Sequence, residues 1–143
     1  MRADWEELPS GDIPSHCAGI YATMNPRGHI VLSRVTHQML GEPKAFVIFF
    51  DKVNNRIGLK PAALATRNAY LAGVRRNGAK IIRAYRLLRE YRINLPHTVQ
   101  FYDADIDEEG MLVLDLRTAK ISRRAANNGR TLEKRLKANG SLT

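Results

Sequence analysis

Arginine and lysine side chains are concentrated in two stretches of the sequence where acids are almost absent, and together they could bind a polyanion. Residues 67–92 hold eight of them against Glu90 alone, and residues 117–143 hold eight against Glu133 alone. Residues 93–116, by contrast, carry six acids and no Lys or Arg. A net charge of +9 distributed this unevenly favours a nucleic-acid partner, although a basic surface that only maintains solubility is the alternative.

Three groups of cationic side chains are candidates for contacts with phosphates. The first surrounds a predicted turn and strand and comprises Arg27, His29 and Arg34. The second surrounds a predicted turn and helix and comprises Arg75, Arg76, Lys80, Arg83 and Arg86. The third starts a basic C-terminal tail and comprises Arg117, Lys120, Arg123 and Arg124. Guanidinium groups fit phosphate oxygens and guanine edges. We therefore predict DNA contacts from the first two groups and nonspecific affinity from the tail, with ordinary solvated surface as the alternative for each.

Motifs of enzymatic or metal chemistry are missing from the sequence. It contains no P-loop, no glycine-rich dinucleotide fingerprint and no nucleophile elbow. Cys17 is the single cysteine, which excludes an internal disulfide and metal sites built on paired cysteines. Asp103, Asp105 and Asp107 alternate along a predicted strand, where they could bind a divalent cation, but we favour a charged sheet edge. We predict a protein that is not an enzyme, with no cofactor, no metal and no evident small-molecule substrate.

The compartment can also be predicted from the sequence. No run of about 18 apolar residues is present, so we predict no membrane partner. The first 17 residues are acidic and lack the apolar core of a signal peptide. A lone cysteine suits a reducing compartment, and we expect a cytoplasmic protein.

The elements that must position the first group are predicted in residues 18–61. Alternating β-formers predict a strand over 18–24, Pro26 and Gly28 predict a turn, and a second strand follows over 29–32. Ser33 is placed to cap a short helix that ends at Gly41. The apolar run 44–50 predicts a strand buried on both faces, and a hairpin turn leads to a return strand over 56–61.

Residues 62–116 are predicted to form a smaller α+β half. We expect a strand over 69–74, a turn at Asn77-Gly78, and a helix over 79–91 in which Arg86 and Glu90 pair. Strands over 97–107 and 111–116 follow, joined by a turn. The strand–turn–glycine–strand pattern of 21–32 is similar to that of 102–116, so a divergent repeat is one hypothesis. Residues 1–17 are predicted to be an arm, and residues 117–143 a tail with at most a marginal helix over 132–136.

The apolar strand over 44–50 predicts self-association. A strand pair this apolar in a unit of about 44 residues would leave much of its surface exposed in a single copy. A second copy would bury that surface. We therefore expect a homo-oligomer, at least a dimer, with a β-rich α+β fold.

The order of elements in 18–61 resembles the AbrB/MraZ superfamily of bacterial swapped-hairpin proteins. The parts that carry the resemblance are Gly28, the strand Ile30-Val31-Leu32, the helix end Met39-Leu40-Gly41, the strand Ala45–Phe50, and Ile57-Gly58-Leu59-Lys60. The resemblance covers about 44 of the 143 residues. It implies an interlaced β dimer or higher ring, two such units per chain in MraZ-like members, and binding of DNA by basic residues on the β surface.

The sequence departs from this family's pattern at the positions expected to contact DNA. His29 replaces an arginine that usually follows the turn glycine, and Ser33 replaces a proline that usually follows the apolar strand. His37 and Gln38 stand where the family's helix tends to carry basic residues, and Arg27 and Arg34 only partly replace that charge. We therefore predict duplex DNA binding, as in a bacterial transcriptional regulator. The alternatives are a non-enzymatic self-assembling protein that kept the fold without sequence-specific DNA binding, and RNA binding by the tail and helix.

Overall fold

The computed structural model describes residues 20–122 together with Ala3 and Trp5. The described chain is a β-rich α+β fold, as predicted, with two antiparallel sheets and two short helices. The first elements are β1 (Ala22–Met24), β2 (His29–Leu32), α1 (Arg34–Met39), β3 (Ala45–Asp51) and β4 (Arg56–Ala62). They are followed by β5 (Ala69–Leu71), β6 (Gly73–Val74), β7 (Lys80–Arg83), α2 (Tyr85–Glu90), β8 (Val99–Gln100), β9 (Asp105–Ile106), β10 (Leu112–Asp115) and β11 (Lys120–Ile121).

The two sheets combine strands from distant parts of the chain. The six-stranded sheet has the order β11-β8-β1-β2-β7-β6, and the five-stranded sheet has the order β5-β3-β4-β10-β9. The pairings of β2 with β7 and of β4 with β10 both join residues 18–61 to residues 62–116. The strand β11 adds Lys120 and Ile121 to the edge of the six-stranded sheet, inside the segment predicted as a tail.

One core lies between the sheets because apolar residues alternate along their central strands. In the six-stranded sheet, Ile30 pairs with Ile82 and both are fully buried. In the five-stranded sheet, Leu59 pairs with Leu112 and is equally buried. All four belong to one continuous apolar cluster. Since side chains alternate between faces along a strand, the neighbours of these residues must point outward.

One hydroxyl group caps the helix α1, and a second joins the helix to Tyr21, the residue before β1. The Ser33 hydroxyl accepts a hydrogen bond from the Thr36 backbone N–H, which is the predicted N-cap. The fully buried Thr36 hydroxyl accepts a bond of 2.7 Å from the Tyr21 backbone N–H. Gly41 follows the helix with a φ of 85°, in agreement with its predicted role at the helix end.

Three hairpins use one turn geometry. They span residues 25–29, 75–79 and 107–111, and in each the fourth residue is a glycine with a φ of 81°. Its N–H donates to the carbonyl of the first residue at 2.9–3.0 Å, and the first residue's N–H donates to the carbonyl of the fifth. The similarity between 21–32 and 102–116 therefore corresponds to a shared turn. The hairpin at residues 75–79 has the same turn, although its sequence was not matched to the other two.

The helix predicted over 79–91 is wrong in its first half. Lys80–Arg83 form β7, and only Tyr85–Glu90 are helical. The β-branched side chains of Ile81 and Ile82 suit a strand, and the turn at Asn77-Gly78 returns the chain onto β2. The ion pair predicted between Arg86 and Glu90 is present at 3.2 Å.

Two predicted strands are each divided between the two sheets. The segment 69–74 bends at the buried Ala72, so β5 joins the five-stranded sheet and β6 the other. The segment 97–107 turns at residues 102 and 103, so β8 and β9 also lie in different sheets. The sequence pattern cannot show that a segment passes from one sheet to the other, because both parts of the segment alternate with the two-residue period of a strand.

The strand predicted to be buried on both faces has one open face. Phe46 is fully buried on the core side of β3, but Phe49 is 50% exposed on the other side. Phe50 contacts Tyr91 with their ring centroids 4.4 Å apart, so the segment after α2 covers part of the core side. The outer face of this strand is thus apolar and accessible.

Neither helix in the described part of the chain has the length or apolar content needed to cross a membrane.

The turn between β3 and β4 depends on one ionised carboxylate. The Asp51 carboxylate accepts bonds from the Val53 and Asn54 backbone N–H groups, from the Asn54 amide and from the Arg56 guanidinium. The bond from the Asn54 side chain, followed by that from Arg56, holds the pKa of Asp51 well below its usual range. Because the folded state then binds this proton less readily than the unfolded state, the contribution is present above the unfolded pKa of about 3.9 and is lost as pH falls.

We expect Asp51→Asn to lower the free energy of unfolding at pH 6, and this deficit to narrow at pH 3. Urea denaturation at both pH values measures it. Glu108→Gln removes an exposed charge from a different turn and should leave an equal difference from wild type at both values. A deficit of Asp51→Asn that does not change with pH would contradict the assignment.

Candidate nucleic-acid interface

The outer face of the six-stranded sheet presents side chains in rows set by the strand register. Because Ile30 and Ile82 point into the core, their neighbours His29 and Arg83 lie together on the outer face. The next outward row runs across the whole sheet and comprises Lys120, Gln100, Thr23, Val31, Ile81 and Gly73. The side chains in the middle of the face are small or uncharged, and cations lie around them.

Cations surround this face at both ends. At one end, Arg27 is exposed at the tip of the β1–β2 turn, beside the row of His29 and Arg83. At the other end, Arg75 and Arg76 are exposed on the β6–β7 hairpin. Lys120 lies at the β11 edge. We call this surface the basic face, and it comprises Arg27, His29, Arg75, Arg76, Arg83 and Lys120.

Acidic side chains are placed elsewhere in the described part of the chain. The six strands of this sheet contain no Asp or Glu. The described acids lie in the five-stranded sheet and its hairpins, after α1, at the end of α2 and in the turn after β8: Glu42, Asp51, Glu90, Asp103, Asp105, Asp107, Glu108, Glu109 and Asp115. The uneven distribution of charge along the sequence therefore becomes a six-stranded sheet without acids and a set of acids on the other elements.

A shallow groove of about 910 Å³ crosses the basic face. Its floor includes Thr23 and Val31, and the hairpin residues Arg75, Arg76 and Asn77 form one wall. Tyr21 lines the groove with 42% of its surface exposed. An open groove with cations on its wall suits the phosphates and sugars of a nucleic-acid backbone.

Three of the predicted DNA-binding residues lie away from the basic face. Arg34 and Lys80 line a separate pocket on the other side of the β6–β7 hairpin, and the Arg34 side chain packs against Gly78. Arg86 pairs with Glu90 on α2, which reduces its availability to a phosphate. Spacing along the sequence could not separate Lys80 from Arg83, because both were predicted to lie on one helix, whereas the strand β7 places them on opposite faces.

The residues predicted to start the tail divide in a similar way. Arg117 contacts Asp115 at 3.4 Å on the five-stranded sheet. Partial burial works to raise the pKa of Asp115, but the side-chain and backbone hydrogen bonds from Arg117 outweigh it, and the pKa is lowered. Lys120 lies on the basic face, with its ammonium 5.9 Å from the centre of the Tyr102 ring. Arg123 and Arg124 lie outside the described residues.

Several polar and aromatic residues of this surface were not predicted from the sequence. Tyr21, Asn25 and Thr98 line the groove, and Gln100 lies in its central row. Their side chains come together through the pairing of β1 with β8, which joins residues 75 and 77 positions apart along the chain. The sequence shows only that these hydroxyl and amide groups lie on or near predicted strands. It does not show which strands pair, so it cannot assign these residues to one surface.

Two of the three alternating aspartates accept hydrogen bonds from nearby backbone N–H groups. The Asp107 carboxylate accepts bonds from the Glu109 and Met111 backbone N–H groups and shapes their turn. Asp105 accepts a bond from the adjacent Ile106 N–H. Within the described residues, no group of three or more His, Cys, Asp or Glu side chains is arranged to hold a metal ion.

Comparison with protein-family models, with curated proteins and with solved structures finds no match to this chain. The resemblance to the AbrB/MraZ superfamily is therefore an expectation from sequence, and the charge and geometry of the surface carry the functional argument.

The turn that presents Arg27 depends on close packing of Gly28 against α2. A Cβ atom at Gly28 would lie 2.9 Å from the Tyr85 Cα and 3.0 Å from the Ala84 carbonyl oxygen. At Gly110, which has the same φ of 81° in the same type of turn, a Cβ would meet nothing within 4 Å. Substitution of Gly110 would therefore introduce backbone strain alone, whereas substitution of Gly28 would introduce backbone strain and steric overlap with α2.

We expect Gly110→Ala to cost about 1–2 kcal/mol, from the left-handed backbone conformation alone. Gly28→Ala should cost roughly a further 1–3 kcal/mol, because backbone atoms of α2 must move. Urea denaturation of the two variants measures both costs. Equal losses would show that the contact between Gly28 and α2 does not constrain the turn.

Proposed function

We propose that the protein binds duplex DNA through the basic face. The observation that carries this proposal is the concentration of Arg27, Arg75, Arg76 and Arg83 around a sheet surface whose strands contain no acid. A carboxylate on that surface would repel phosphates, and the fold places the acids on other elements. This activity is that of a transcriptional regulator, which the resemblance to AbrB and MraZ proteins also implies.

The spacing of the cations suits a duplex. Arg83 pairs with His29, and Ala79, four residues before Arg83, accepts a hydrogen bond from the Arg75 N–H. The row of Arg83 and the row of Arg75 are therefore four residues apart along this strand. At 3.3 Å per residue, the two rows are roughly 13 Å apart. The major groove of B-DNA is about 12 Å wide. The turn of the β6–β7 hairpin at residues 75–79 can therefore contact phosphates on one side of the groove while Arg83 and Arg27 contact phosphates on the other.

Binding driven by these cations must depend on salt. Each phosphate contact releases counterions and contributes about −0.9 to the slope of the logarithm of the binding constant against the logarithm of salt concentration. Arg75→Gln/Arg76→Gln should therefore weaken duplex binding by roughly tenfold or more at about 0.1 M salt and make the slope shallower by about 2. Fluorescence anisotropy with a labelled duplex over a salt series measures both effects.

The matched control removes the same charge from another surface. Arg67 and Lys52 are exposed on loops that join strands of the five-stranded sheet. Lys52→Gln/Arg67→Gln should leave the slope within error of wild type. Equal effects of the two double variants would attribute binding to overall charge and reject the basic face. Equal affinity for a single-stranded DNA or RNA of the same length would reject the duplex.

A second candidate function is self-assembly through the outer face of the five-stranded sheet. Val47, Phe49 and Val113 point away from the core there, and Phe49 is 50% exposed. Met111 lies over Gly58, where a Cβ would be 2.7 Å from its sulfur atom. This apolar patch is bordered in the same rows by Lys60 and Asp105. An exposed apolar patch with a charged border favours a protein partner, and a second copy would supply the oligomer that the AbrB/MraZ resemblance implies.

Phe49→Lys should convert the oligomer into a monomer, because a charge would be buried in the interface. Val53→Lys is the control, since Val53 is 87% exposed at the tip of the β3–β4 turn. Sedimentation velocity of wild type and both variants measures the mass. This candidate predicts an oligomer for wild type and Val53→Lys, and a monomeric wild-type protein would reject it without affecting the DNA proposal.

A further inference from the structure

A second concave surface lies behind the β6–β7 hairpin, on the side away from the basic face. It has a volume of about 530 Å³ and is bounded by α1, the loop before β3, the segment from Leu64 to Ala72 and the hairpin. We call it the hairpin pocket. This volume falls within the range of about 300–1,000 Å³ that is typical of small-ligand sites.

The walls of the hairpin pocket collect apolar side chains that the fold does not bury. Leu64, Leu71 and Val74 line it and are 55%, 60% and 73% exposed. Pro43 and the buried Ala72 complete the apolar surface. Large aliphatic side chains that line one concave surface favour a ligand with an apolar group. Each side chain is still exposed, and such a ligand would remove its apolar surface from water.

The charge at the pocket is cationic. Arg34, Lys44 and Lys80 line it, with Glu42 as the single acid among the lining residues. In the described part of the chain, none of the three cations makes an ion pair. Lys80 is half-buried, and the Arg34 stem packs against Gly78. An anion would compensate this charge at the rim of an apolar surface.

The His37 ring forms part of the wall of the hairpin pocket. Its ring is buried, and its Nε2 donates a hydrogen bond of 2.7 Å to the Pro43 carbonyl oxygen. The ring also meets the edge of Phe46, with the centroids 6.5 Å apart. These contacts hold the ring in place, so it forms a fixed part of the wall.

We propose that the hairpin pocket binds a small amphipathic anion, namely a medium-chain aliphatic monocarboxylate. Its carboxylate lies between Arg34 and Lys80, and its alkyl chain lies against Leu64, Leu71 and Val74. The proposal is independent of DNA binding, since none of the three cations belongs to the basic face.

The probe is decanoate, titrated below its micelle concentration into the full-length protein by isothermal titration calorimetry. We expect saturable binding of one decanoate per chain. Decan-1-ol and decyltrimethylammonium carry the same chain with no charge and with the opposite charge, and each should bind at least about tenfold more weakly. Equal binding of decyltrimethylammonium, or no saturable heat from decanoate, would overturn the proposal.

Variants locate the site. Lys80→Met keeps the aliphatic stem and removes the charge, and it should weaken decanoate binding by about tenfold. Lys44→Gln, at an exposed position, provides a second test should Lys80→Met fail to fold, and it should also weaken binding. Arg86→Met removes an equal charge from α2, and Phe49→Lys blocks the apolar sheet face. Both should bind decanoate as wild type does, and a loss in Phe49→Lys alone would place the ligand on that face and overturn the assignment.

Discussion

The shared interior of the two sheets is the constraint on which the rest of the structure depends. Ile30 and Ile82 from one sheet and Leu59 and Leu112 from the other are fully buried in the same cluster. A slip of β7 by one residue against β2 would turn Arg83 into this core and Ile82 out of it. Burial of an unpaired guanidinium is far more costly than its exposure, so the core fixes the register and the register fixes the basic face.

The β6–β7 hairpin separates two surfaces of different chemistry. One side carries Arg75 and Arg76 beside the groove of the basic face, and the other carries Lys80 and Gly78 beside the hairpin pocket. Val74 borders both. The hairpin can present opposite sides in this way because its turn is the compact five-residue type found also at residues 25–29 and 107–111.

The sequence was sufficient to predict elements whose signals are local. The strands β1 to β4 and the helix α1 appear in the predicted order, and Ser33 and Gly41 cap the helix as expected. These features depend on period-2 alternation, on a hydroxyl cap and on glycine, all of which act within a few residues. The β-rich α+β class follows from the same signals.

The features that failed depend on contacts between distant residues. Ile81 and Ile82 fit one stripe of a helix as well as a strand, and only their pairing with Val31 and Ile30 decides between the two. The same pairing places Arg83 on the basic face, while Lys80 turns toward the hairpin pocket. Tyr21 and Gln100 could not be assigned to the surface, because β8 pairs with β1 across most of the described chain.

The central claim is that duplex DNA contacts the outer face of the six-stranded sheet. Amide chemical-shift mapping of the ¹⁵N-labelled full-length protein, titrated with a short duplex, locates the contact directly. The account predicts shifts concentrated at residues 27–31, 74–79 and 83, with little change along β3 between Ala45 and Asp51. Shifts centred on β3 and β4, or an unchanged spectrum over residues 20–122 at low salt, would contradict it.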